Sequence, residues 1–285
     1  MTALRATTLP QPREGVLAEF LKLGAFLRRD FLIAASYRLS FAAEFTNVIV
    51  GVLMFSLVGR MVDVNVLPRY GGVRPSYMEY VATGLVLGAF LQIGIGRVTQ
   101  AIEQEQTRGT LESLLMTPTT TPTILAGCIT YDLAYVPIRT VFMLLVIAAG
   151  FGLHYHASGI PAAALFLLFF IPFVWGIGMI CAAMRLTFRR GAGVFTAFIT
   201  LFTIGSGAYV PVSLLPHPAA TLAPFNPVGV ASHGMRESLL AGGWTAIDIK
   251  LLTLPLLSAV ALAAGVIALR LALRRERKLG TLGVY

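Results

Sequence analysis

Four ionisable side chains stand inside long apolar stretches of this chain: Glu44, Arg97, Asp132 and Arg139. At the centre of a bilayer each would cost about 2.5–3.5 kcal/mol, so their presence demands a role. Together they carry no net charge. Ser40, Glu44, Asn47 and Gly51 recur at helical spacing and form one polar stripe; Asp132, Tyr135 and Arg139 form another. Such stripes belong against protein or water rather than lipid. Two roles fit: a polar substrate path or gate, or an ion-pair network tying helices together within one subunit. The balanced charge favours the network. A proton relay would need a chain of Asp, Glu and His, and the four histidines (His154, His156, His217, His233) lie elsewhere. His154 and His156 flank Tyr155 with no further metal ligand nearby, and read as interfacial polar residues. Cys128 and Cys181 sit far apart in apolar stretches, with neither disulfide nor metal spacing, and read as small buried hydrophobes.

The elements that position these groups are set by composition. Hydrophobic residues make up 56% of the chain and charged residues 12%, about half the charged fraction a soluble domain uses, roughly 25%. The apolar residues come in blocks long enough for a helix to cross hydrocarbon, about 20 residues. The expected fold is therefore an all-α membrane protein with spans at 36–59, 80–102, 123–151, 161–184, 192–212 and 247–272. The third carries Pro137 and should kink. The fifth should break at Gly205-Ser206-Gly207 and Pro211. Residues 1–14 form a polar tail and lack the features of a cleavable signal peptide. Residues 15–33 read as an amphipathic helix lying at the interface, with Glu19, Lys22, Arg29 and Asp30 on its polar arc. Gly84 and Gly88 make a GxxxG on the second span, a mark of close packing. The stretch 211–243 is too broken by proline to span and too apolar to be solvated. It is expected to be a pair of short re-entrant or interfacial helices at the outer face.

Charge sets the orientation. With the N-terminus inside, sixteen of the 22 basic residues fall on inner segments and their flanks, against five outside. Both termini are expected in the cytoplasm, with residues 273–285 as a basic inner tail. The net charge of +9 is thereby explained by topology, and nucleic acid is not an expected partner.

On that topology Glu103-Gln-Glu105-Gln-Thr-Arg108-Gly109-Thr110-Leu111-Glu112-Ser-Leu114-Leu115-Met-Thr-Pro118 lies inside, between the second and third spans. Leu111, Leu114 and Leu115 share one helical face. Gly109 allows a sharp turn, Thr110 can cap the helix, Glu112 suits its first turn, and Pro118 ends it. An apolar knob facing the cytoplasm requires a partner to cover it. The run Arg108–Pro118 resembles the signature of the type-2 ABC export permeases, which move polysaccharides, lipo-oligosaccharides, lipids and drugs. The outer stretch resembles the same family. It contains Ser206-Gly207, then Pro211-Val-Ser-Leu-Leu215-Pro216, then Ala223-Pro-Phe-Asn226-Pro227, then Arg236-Glu-Ser-Leu-Leu240. Gly234-Met235 stands where the family usually has a Glu ahead of the Arg, a modest departure.

The resemblance implies that residues 103–117 are a coupling helix docking on an ATP-binding cassette ATPase, and that 211–243 shields the exit. It also implies two ATPase copies and a second copy of this permease or a close paralogue, with the first and fifth spans at the seam, in a prokaryotic inner membrane. The chain has no Gly-x-x-x-x-Gly-Lys-Ser/Thr loop. It is expected to be non-catalytic itself and to bind no cofactor, with ATP and magnesium held by the partner. Two other classes are weighed against this. An ion-coupled secondary transporter would show repeat symmetry and helices broken near the midplane, and neither is found. A membrane-embedded enzyme would need paired His or Asp at one interface, and no such set is found.

Overall fold

A computed structural model describes residues 16–36, 38–107, 121–152, 154–188, 197, 200–244 and 249–279. Among these the chain is helical, without strands. The helices are α1 (Val16–Ser36), α2 (Arg38–Gly59), α3 (Tyr77–Thr107), α4 (Thr121–Phe151), α5 (Ile160–Phe188), α6 (His217–Leu222), α7 (Pro227–Ala241) and α8 (Ile249–Leu279).

Among the described residues two helical stretches, Ala157–Arg185 and Thr253–Arg275, are long and apolar enough to cross a membrane by length and composition. Phe45–Gly59 and Pro137–Phe151 are shorter apolar pieces of α2 and α4. Many large apolar side chains point outward, among them Leu53, Met54 and Leu57 on α2, Ile138, Val141 and Leu145 on α4, and Leu256 and Val260 on α8. A surface of that kind is unsupportable in water and is the natural surface of a protein solvated by lipid.

Inside the bundle, Leu87 and Phe90 of α3, Ile147 of α4, Phe170 of α5, Val228 of α7 and Leu254 of α8 belong to one buried cluster. Lipid tails are as apolar as these side chains, so close packing rather than water exclusion holds the helices together. The α5–α8 seam shows how. Gly176 and Gly265 face each other so closely that a Cβ on either would run into the opposing backbone. Below them Met179, Ala182, Leu269 and Ala272 fill a second cluster.

Three details refine the expected elements. α3 continues through Thr107, so Glu103 and Glu105 stand on its last turns. α8 continues through Leu279, so the basic segment after residue 272 begins as helix. Its Arg, Leu and Lys residues are good helix formers and carry the element on beyond its apolar part. α4 is continuous across Pro137.

The stretch before α8 is irregular, as its prolines dictate. Helix at 200–204 ends in a turn over 205–207, where Gly207 takes φ 75°. A single 3-10 turn, Val212–Leu214, leads to α6, a second 3-10 turn (Ala223–Phe225) and α7. Asn226 caps α7: its Oδ1 accepts from the Val228 N–H at 3.0 Å, and Pro227 takes the first helical position, where no N–H is needed.

Candidate functional site

Two sites assemble from these elements: a lock on one face of the bundle, and a polar cavity at mid-depth. The ends of α2, α3 and α4 meet on that face. Gly59 abuts the Tyr77 ring, leaving no room for a side chain, and the backbone N–H of His154 donates to Glu79 Oε1 at 2.9 Å.

Arg236 of α7 is the centre of the lock. Its side chain is almost fully buried, at 2% exposure. Nε donates to the Tyr80 carbonyl and to Thr83 Oγ1, both at 2.9 Å; Nη1 donates to the Gly207 carbonyl at 3.2 Å and Nη2 to the Ala208 carbonyl at 2.5 Å. The guanidinium also lies 3.6 Å from the centre of the Tyr80 ring. The Tyr80 hydroxyl donates to the same Gly207 carbonyl at 2.6 Å. One planar cation thus ties a carbonyl of α3 to two carbonyls of the broken backbone after 204, and those two have no helix to satisfy them. Asn226 Nδ2 adds a bond to the Phe202 carbonyl at 2.8 Å. Gly84 lies against the Ala208 backbone and Gly88 against the Tyr209 hydroxyl, so the GxxxG of α3 accommodates this irregular segment rather than another helix. Gly234, where a Glu was expected from the family pattern, faces the Phe166 ring with no space for a Cβ.

Beside the lock, Glu79 is 5% exposed and its carboxylate is fully engaged. Oε2 accepts from the Ser76 N–H at 2.7 Å and hydroxyl at 2.9 Å, and Oε1 from the His154 N–H, with His154 Nδ1 at 3.2 Å. Burial pushes this carboxyl's pKa up, but the hydrogen bonds from His154 and Ser76 outweigh it and hold the pKa below its ordinary 4.5. The Tyr155 hydroxyl donates to the Glu79 carbonyl at 2.8 Å. Burial, and then the neighbouring carboxylate, push that phenol's pKa up.

The cavity, about 290 Å³, lies between α2, α3, α4 and Tyr209. Asn47, Gly51, Gln92, Arg139 and Thr140 line it, with Val48, Val52 and Met143 as apolar wall. Arg139 is half-buried, Asn47 and Gln92 are exposed at its mouth, and Thr140 is buried.

A family profile described as ABC-2 type transporter matches residues 22–240, most of the chain. The chain belongs to the ABC-2 type transporter family. It is an integral membrane protein and the permease component of an ABC-type transporter; such permeases act with an ABC ATPase. No curated protein matches the chain.

The residues expected to matter in this ABC-2 permease are distributed unevenly. Arg108, Gly109, Thr110, Leu111, Glu112, Leu114, Leu115 and Pro118 lie outside the described residues. Glu44, Arg97 and Asp132 fall on α2, α3 and α4, with side chains outside the described set. Asn47 and Arg139, from two different stripes, meet at the cavity. Pro211 is buried, Leu215 half-buried and Pro216 exposed, while Asn226, Pro227 and Arg236 build the lock. The sequence reading missed Tyr80, Thr83, Glu79, Gln92 and Thr140. The available signal was their position on α3 and α4 beside the glycines and Arg139.

Proposed function

We propose that this permease is the membrane half of an ATP-driven exporter of an amphipathic substrate: a glycolipid, polysaccharide, lipid or drug. Two copies, or one with a close paralogue, form the pathway, and two ATPase subunits bind ATP and magnesium on the cytoplasmic side of a prokaryotic cell membrane. The chain crosses six times with both termini inside, and the segment 211–243 shields the outer exit. Energy enters through 103–117. Closure of the ATPase pair on ATP pushes this segment as a rigid body, and α3, continuous to Thr107, carries the displacement into the bundle.

The observation that carries this reading is the run Arg108–Pro118, set between α3 and α4 within the matched residues 22–240. Its leucine face needs a protein groove, and the chain offers no nucleotide loop of its own. The test is a pair of measurements on the full chain in its native membrane. A cysteine replacing Leu111 should react with an impermeant thiol reagent only from the cytoplasmic side. Leu111→Asp with Leu114→Asp should abolish co-purification of the ATPase subunit. Labelling from outside, or an ATPase retained by the double variant, overturns the proposal.

A further inference from the structure

We infer that the cavity between α2, α3 and α4 receives the anionic headgroup, phosphate or carboxylate, of an amphiphilic substrate, with Arg139 as its counter-charge. This rests on the permease reading above and narrows its substrate class.

Depth is the first argument. At 1.5 Å per residue, Asn47 lies roughly 18 Å from the Gly59 end of α2 and Arg139 roughly 18 Å from the Phe151 end of α4. Gln92 lies roughly 22 Å from the Tyr77 end of α3. These three ends share one face, so the polar groups gather at one level, near the middle of a hydrocarbon slab about 30 Å thick. Groups of that kind do not face lipid tails; they pair within the bundle or line a path or ligand site, and these line a cavity.

Chemistry is the second. Among the described residues that line the cavity, Arg139 alone is charged. Asn47 and Gln92 bring amide N–H groups, and Thr140 and Tyr209 hydroxyls. Thr140 Oγ1 is buried with no hydrogen-bond partner among the described residues, a donor awaiting an acceptor. Donors clustered about a guanidinium suit an oxyanion, which takes charge-assisted bonds from all of them.

Size and surroundings are the third. A volume of 290 Å³ is at the lower end of ligand sites, roughly 300–1,000 Å³, enough for a headgroup and not for a whole amphiphile. Ile138 and Val141, on either side of Arg139 and Thr140, are 61% and 56% exposed, and Leu53 of α2 is exposed too. They give hydrocarbon chains an apolar surface outside the pocket. The space beside Gly51 is open: a Cβ there would meet nothing within 4 Å.

The experiment measures binding of radiolabelled dodecyl phosphate to the purified full chain in dodecyl maltoside micelles, whose excess neutral amphiphile masks purely apolar sites. Saturable binding is expected, weakened roughly tenfold or more by Arg139→Gln. Gly51→Phe should weaken it as much by filling the cavity while keeping the charge, with the wild-type unfolding temperature. Inorganic phosphate should compete far less well than unlabelled dodecyl phosphate. Unchanged affinity in both variants, or competition by inorganic phosphate equal to that of the amphiphile, overturns the inference. The assay contains no ATPase, so failure here with ATPase association intact removes only this site. Retained binding without any ATPase association removes only the ATPase coupling proposed above.

Discussion

Replacing Arg236 by Met would strip the buried Ala208 carbonyl of the guanidinium that serves it, and would leave the Gly207 and Tyr80 carbonyls with only the Tyr80 and Thr83 hydroxyls as side-chain donors. The expected loss is on the order of 2–4 kcal/mol, read as a lowered unfolding temperature of the purified protein. Arg236→Lys should recover little, because a point ammonium cannot reach α3 and the broken segment at once as the planar fork does. Glu79 makes a prediction in pH. Its folded pKa lies below the ordinary 4.5, so its contribution to stability is complete above that value. The contribution drains away as pH falls through the lowered folded pKa. The stability gap between wild type and Glu79→Gln should therefore be constant at neutral pH and close on acidification, as followed by thermal unfolding across a pH series.

At the scale of elements, two glycines on neighbouring helices should respond oppositely. Gly84 of α3 presses on the Ala208 backbone, so Gly84→Val should destabilise by about 1–3 kcal/mol through overpacking. Gly51 of α2 has open space at its Cβ, so Gly51→Ala should be neutral or stabilising by roughly 0.5–1 kcal/mol, the helix-propensity difference. Thermal unfolding of the two variants side by side checks this. Equal losses would mean that helix α2 is packed where the cavity now lies. The GxxxG spacing announces a close approach, but not its partner: the sequence period of α3 is compatible with any neighbour, and a non-helical backbone segment was the one that came.

At the scale of the whole molecule, orientation is the property to test. The segment around Arg74 and the end of α8 around Arg275 are both exposed. On the proposed topology a cysteine at position 74 should be labelled from outside intact cells, and one at position 275 only after the membrane is opened. Sidedness of this kind follows from basic residues held on the inner face. The same bundle with its charges redistributed would insert with the opposite sense.

Hydropathy along the chain was enough to establish a helical membrane protein, because spacing and length of apolar blocks are dictated by the bilayer itself. The motifs Arg108–Pro118 and Pro211–Leu240 pointed to the family, and the prolines and glycines of 205–227 to an irregular segment. Those signals are local, carried by residues adjacent in the chain. The polar stripes of α2 and α4 were legible one helix at a time, but nothing in either stripe said that Asn47 and Arg139 would line the same cavity with Gln92. Nor could the sequence say that Arg236 would be buried among the carbonyls of Tyr80, Gly207 and Ala208, the first of them 156 residues away. Helix rotation and broken backbone decide such meetings, and they are fixed only when all the helices pack at once.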